Sequence, residues 1–381
     1  MKRLKIKILS IITLLLLVGC APKPKHVKIM PPPEVKSPSF EVTGASAEPR
    51  LFNPTDGETI TISYRLSRPA KAIIKIFDPE MCLIKDLLPE DIETTELNKV
   101  AWDGRDFEGK VVPDEAYFFT IEAMDHQGNI AFYDPTTFSG GEYFSPNVIF
   151  DPISKKVTYE LPKDAWVRIR AGISEGPLLK TIVNWAPRFA GKNEESWDGK
   201  DESGNIDVLS QKGYRLMAEA ITLPENSILT YGNSDYNYYE YKTEIAPERP
   251  KKRERPLFKS EKILMGSQLE GPREVFPRPK FRIQLPEDLE KTKDGLPILR
   301  GKTALKIVLD EEVKKIITEQ RYEIIFFVDF KFISEEEGGY SPYTWLWDTR
   351  GVSNGKHIVT VNVATLTGEV ESASLKVMVQ N

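Results

Sequence analysis

The chain has 381 residues, 29% of them charged and 40% hydrophobic, a soluble globular composition and more length than one core ordinarily serves. A net charge of −5 is too small for the global field to recruit nucleic acid or an acidic membrane surface. Two cysteines, Cys20 and Cys82, rule out a multi-disulfide framework, and three scattered histidines, His26, His126 and His357, argue against a His-based triad or a zinc cluster.

At the N-terminus Lys2, Arg3, Lys5 and Lys7 precede an apolar run from Ile8 to Val18, broken only by Ser10 and Thr13. That run fits the roughly 7–15 residues of a secretory core and falls short of the roughly 20 needed to span a bilayer. Leu17, Val18, Gly19 and Cys20 resemble the lipobox of bacterial lipoproteins. The resemblance implies cleavage before Cys20 and acyl chains on it, each buried methylene contributing about 0.8 kcal/mol of membrane affinity. Ala21 in place of Asp turns the resemblance towards the outer membrane. Residues 1–19 thus read as a signal peptide and 20–47 as a lipidated, proline-rich linker, with six prolines between Ala21 and Phe40 that keep it extended.

Two similar segments follow. Phe52-Asn53-Pro54 opens one in which Ile60, Ile62, Tyr64 and Leu66 alternate with polar residues, the period of a half-buried strand. Phe150-Asp151-Pro152 opens the other, with Val157, Tyr159 and Leu161 alternating. Each continues through a β-rich run, Ile73 to Phe77 and Trp166 to Ile169, then through Trp102-Asp103-Gly104-Arg105-Asp106-Phe107-Glu108-Gly109 or Trp197-Asp198-Gly199-Lys200-Asp201-Glu202-Ser203-Gly204. A last strand closes each, Tyr117 to Ala123 and Tyr214 to Ala220. Tyr64 and Trp102 are separated by 38 positions, as are Tyr159 and Trp197, so the two segments are copies of one domain. In the motif Trp supplies a core plug, Asp binds local amides and Gly permits positive φ where the chain reverses. Both copies resemble the immunoglobulin-like module named after FlgD, the flagellar hook-capping protein. That resemblance implies a β-sandwich in each copy and does not carry the flagellar function. The domains are placed at 48–145 and 146–245.

Between Pro247 and Pro256 basic residues alternate with proline, and 246–271 reads as a solvated linker. From 272 to 381 the pattern is β again: Leu305, Ile307 and Leu309 alternate, Ile324 to Asp329 is a buried-strand run, and Val359, Val361 and Val363 precede Leu375, Val377 and Val379. Ser341-Pro342-Tyr343, Trp347-Asp348-Thr349 and Asn354-Gly355-Lys356-His357 resemble the progression of bacterial Ig-like domains attached to surface proteins. Phe330 and Lys331 stand after Asp329 where that family has a glycine turn, which predicts a longer hairpin there.

The expected fold is therefore all-β, three tandem immunoglobulin-like sandwiches behind a lipid anchor. Asp103 with Asp106 lacks the acidic ladder of a calcium loop, no phosphate-binding glycine loop is present, and no catalytic residue, cofactor or metal is assigned. Cys82 sits in an apolar context that reads as a buried thiol. Tyr231, Tyr236, Tyr238, Tyr239 and Tyr241 crowd the end of the second copy, as a surface for stacking on sugar rings or as packing against a neighbouring domain. The function expected is a non-catalytic envelope lipoprotein, a spacer, adaptor or assembly component with an envelope or secreted protein partner; the alternative is a lipoprotein that binds polysaccharide or cell wall.

Overall fold

A computed structural model describes residues 39–88, 94–248 and 275–381. The lipobox, Cys20 and the basic positions of the second linker lie outside the described residues.

Alternating apolar side chains build the first sandwich from β1 (Val42–Glu48), β2 (Leu51–Phe52), β3 (Ile60–Leu66), β4 (Ala70–Phe77), β5 (Leu83–Leu87), β6 (Asn98–Trp102), β7 (Ala116–Asp125) and β8 (Ile130–Tyr133). One sheet runs β1-β3-β6; the other carries β4, β5, β7 and β8. Ile60, Ile62, Tyr64 and Leu66 all point inward from β3 and are fully or nearly buried. Cys82 is buried at the start of β5, its amide donating to Asp78.

The second sandwich repeats the plan with β9 (Tyr143–Phe144), β10 (Val148–Asp151), β11 (Lys156–Leu161), β12 (Ala165–Ile173), β13 (Leu178–Arg188), β14 (Gly191–Ser196) and β15 (Tyr214–Thr222). Its sheets run β10-β11-β14 and β13-β12-β15-β9. Tyr64 faces Asn98 across β3 and β6 as Tyr159 faces Asn193 across β11 and β14. The Trp-Asp-Gly motif does not reach these asparagines, and only their equivalent register reveals them as part of the repeat. Asn98 donates its amide to the carbonyls of Thr94 and Glu96, and Asn193 does the same to Phe189 and Gly191, two and four residues earlier in each case.

The boundary expected at 145/146 does not divide the chain cleanly. β16 (Ile228–Thr230), which follows the second sandwich, returns to the first, pairing antiparallel with β7 and parallel with β2. The first sandwich's larger sheet is thus completed, in the order β2-β16-β7-β4-β5, by a strand from beyond its sequence copy. The reason is an edge: the start of β7 would otherwise leave backbone groups unpaired.

The third sandwich contains β17 (Phe281–Gln284), β18 (Ile298–Leu299), β19 (Lys302–Leu309), β20 (Tyr322–Val328), β21 (Lys331–Glu336), β22 (Tyr343–Asp348), β23 (Gly355–Thr365) and β24 (Val370–Val379). Its sheets are β17-β19-β22 and β18-β24-β23-β20-β21, closed over stacked Phe326, Trp345 and Trp347. A helix, Glu311–Glu319, joins β19 to β20 and sinks Val313 and Ile317 into that core. The hairpin after Asp329 is tight, contrary to the longer one expected: Val328 pairs with Lys331, and Asp329 and Phe330 both take positive φ, 49° and 65°. Two successive left-handed residues make the reversal that suits strand twist. All three sandwiches belong to one compact unit, Phe40–Asn381.

Candidate functional site

The two Trp-Asp-Gly loops fold alike. Trp102 is 1% exposed and Trp197 4%, each edge-on to the phenylalanine that opens its copy, Phe52 at 5.7 Å and Phe150 at 5.0 Å. Each indole donates to the carbonyl three residues on, Arg105 at 3.0 Å and Lys200 at 2.8 Å. Asp103 accepts the Arg105 amide and Asp198 the Lys200 amide. Gly104 and Gly199, at φ 69° and 84°, each accept the amide that closes the loop, from Val112 and Val208. Asp106 and Asp201 are buried and bind loop amides, and Gly109 and Gly204 return an amide to them. These residues make a turn, and each of the four aspartates spends one carboxylate oxygen on backbone amides. In the third sandwich Trp347 is 4% exposed and Asp348 caps the turn Thr349–Gly351 through the Arg350 amide.

The tyrosines do not form a surface cluster. After β16 the chain crosses the first sandwich as a strap containing the short helix α1 (Tyr238–Glu240) and a π-helical turn, Tyr241–Ile245. Tyr241 is fully buried and donates to Asp106 Oδ2 at 2.9 Å; Tyr238 is 5% exposed and donates to Asp78 Oδ2 at 2.8 Å. Tyr236 stacks on Tyr241 and donates to the Val111 carbonyl. Tyr239 is half-buried beside Lys242, which reaches Glu80. Buried Tyr238 and Tyr241 cannot offer a face to a sugar, Tyr236 and Tyr239 are half-buried in the strap, and Tyr231, at 46%, is the exposed member of the five.

Tyr231 lines a groove of about 370 Å³ where the first two sandwiches meet. Leu51, Leu229 and Thr230 contribute from one side, Pro187, Phe189 and Asn193 from the other. Beneath it the junction is apolar: Ala116, Trp166, Leu223 and Leu229 pack together. The Trp166 indole donates to buried Glu115 at 2.7 Å, and Arg50, paired with Asp164, lies over the Phe189 ring at 4.9 Å.

The second and third sandwiches meet through polar groups and through Phe330 and Ile358, which pack against the second core. Leu178 on edge strand β13 exchanges two 2.9 Å hydrogen bonds with the Asn362 amide, which takes the place of a neighbouring strand, and its carbonyl also accepts from Ser372. The β24 edge is answered in turn: Ser203 accepts the Ser374 amide and Asn205 donates to the Ser374 carbonyl. Arg278 sits between Glu202 at 3.5 Å and Glu371 at 3.4 Å. Burial raises the pKa of Glu371, opposed by Arg278, and burial beside Arg168 lowers that of Arg170 to about 10. Among the described residues no group of three ligating side chains is arranged to hold a metal ion, and no helix is long and apolar enough to cross a membrane.

The class these features define is an all-β protein of tandem sandwiches. No family model and no curated protein matches the chain. Solved structures that align with it include a tetra-tandem repeat from the extending region of a large adhesion protein, at 11% identity and a TM-score of 0.19 over 90% of this chain and 74% of that one. A 1.5-MDa bacterial ice-binding adhesin gives 9% identity and 0.16, covering 90% and 98%. Dimeric latent PorU from Porphyromonas gingivalis gives 8% and 0.19, covering 90% and 34%. TM-scores this low carry no argument about what this chain does.

Proposed function

We propose that the chain is a lipid-anchored envelope protein, held by Cys20, that acts as a spacer and adaptor through the surfaces of its sandwiches and performs no catalysis. The observation that supports this reading is the return of β16 to the first sandwich. Two modules that share a strand keep a fixed mutual orientation, as a strut must, whereas modules joined by one flexible linker would not transmit position. Their partner is a protein of the envelope or a secreted protein. Open sheet edges, β5 and β14 among them, offer it backbone groups for strand addition. The anchor is tested with Cys20→Ser, which should abolish acyl labelling and leave a precursor or shift the protein out of its membrane fraction; acyl label persisting in that variant overturns it.

The second reading, polysaccharide binding, is favoured by the groove beside Tyr231 alone. Aromatic Tyr231 and Phe189 at a domain junction are the surroundings in which ligand sites commonly form. Retention of a purified glycan by the full chain and its loss in Tyr231→Ala would support that reading over the first.

A further inference from the structure

The turn Asp329–Phe330 lies where the third sandwich touches the second. Phe330 and Ile358 pack against the core of the second sandwich. The Phe330 carbonyl sits so close to Gly176 that a Cβ there would meet it at 2.8 Å. A phenylalanine at positive φ is an unfavoured conformation that its surroundings must hold, and Asp329, the residue before it in the turn, is bound by His357. The His357 Nδ1 is 2.7 Å from Asp329 Oδ2, its Nε2 is 2.8 Å from the Ser353 carbonyl, and the ring is buried. Asp329 Oδ1 meanwhile accepts the Ile358 amide, and the Asp329 amide donates to the Ile358 carbonyl.

Both ring nitrogens thus face oxygens that can only accept. A neutral imidazole has one N–H and one lone pair, so one of these contacts would set a lone pair against an oxygen; only the imidazolium satisfies both. We propose that His357 is a proton-operated latch, which in its charged form fixes the Asp329–Phe330 turn and so seats the third sandwich on the second, and on losing its proton lets the two part.

Much of this interface is hydrogen bonding that water can replace, from Asn362, Ser372, Ser203 and Asn205 and from Arg168 and Arg170 on the Gly368 carbonyl, while Phe330 and Ile358 supply its apolar contact. Burial opposes charge on His357, but the Asp329 carboxylate and the Ser353 carbonyl outweigh it and hold its pKa above the usual histidine value. Asp329 is the charged group that meets the ring. On its own strand Lys356 is engaged by Asp294; on β24 the residue opposite the ring is Val377, and Lys376 stands opposite Ile358. Glu371 is the other interface group with a raised pKa, and a variant of His357 separates its titration from the latch. The sign follows from the direction of the shift. A raised pKa contributes docking that is complete below the ordinary histidine value near 6.5 and is lost as pH rises through the raised one.

The test is amide hydrogen exchange of the full chain between about pH 6 and pH 9, corrected for the intrinsic rate, read at Leu178, whose amide the Asn362 side chain covers. Its protection should fall on the alkaline side, while Phe326 and Val361 inside the third sandwich keep theirs. His357→Gln, which carries no titrating ring, should make Leu178 protection independent of pH in this range. Gly176→Ala, which obstructs the seat without touching the ring, should lower it throughout. Three results each overturn the latch: constant Leu178 protection in the native protein, an unchanged pH response in His357→Gln, or loss of protection at Phe326 and Val361 in step with Leu178, which would make His357 a support of its own sandwich only.

Discussion

Trp102 and Trp197 fill the same place in successive copies, and each is held by an aromatic edge and by an indole hydrogen bond to its own turn. Truncating either removes a large buried ring and opens a cavity, so Trp197→Ala should cost roughly 3–5 kcal/mol. Urea unfolding followed by a probe in each sandwich measures it; an unchanged midpoint would place the ring on the surface. The two copies differ at the second aspartate of the motif. Asp106 Oδ2 accepts the Tyr241 hydroxyl, while Asp201 Oδ2 is buried without a hydrogen-bond partner among the described residues. Tyr241→Phe should therefore destabilise the first sandwich by about 1–3 kcal/mol, the penalty of an orphaned buried acceptor, with no effect on the second. Equal loss in both, or none, contradicts the assignment.

At the scale of elements, the strap and β16 make the first sandwich dependent on residues more than a hundred positions away. A chain ending at residue 225 should lose the first sandwich while retaining the second, and a peptide spanning 226–246 added in trans should restore it. Dispersed NMR signals from β3 and β7 report the outcome, and a fully folded first sandwich in the truncated chain would refute the dependence. The same elements mark where sequence reading stopped. The motif loops were legible because each closes within a few residues, side chain to nearby amide, so chemistry and spacing stand together in the sequence. β16 has only three residues and no alternation to display, and Tyr241 and Tyr238 bind carboxylates 135 and 160 positions earlier. Five tyrosines within eleven residues read as packing or as a platform, and the strap's course over the first sandwich shows where each goes. The hairpin after Asp329 misled for a related reason: the positive φ that glycine adopts freely is taken by Asp329 and Phe330 themselves, with Asp329 bound to His357 and the Phe330 carbonyl against Gly176, contacts that local sequence does not reveal.

For the whole molecule, three sandwiches in one unit give a body with several open edges. Its first junction is fixed by a shared strand and an apolar cluster, and its second is fastened by side chains that stand in for missing strands. The groove at Tyr231 lies where two of the sandwiches meet. Such a body presents surfaces, and several at once raise the effective concentration of each further contact. The most direct measurement is capture from crosslinked envelopes with the full chain as bait. The adaptor reading predicts recovery of a defined protein partner, reduced more by removing a whole sandwich than by Tyr231→Ala. Recovery of no protein, together with retention of a purified glycan at micromolar affinity, would contradict it.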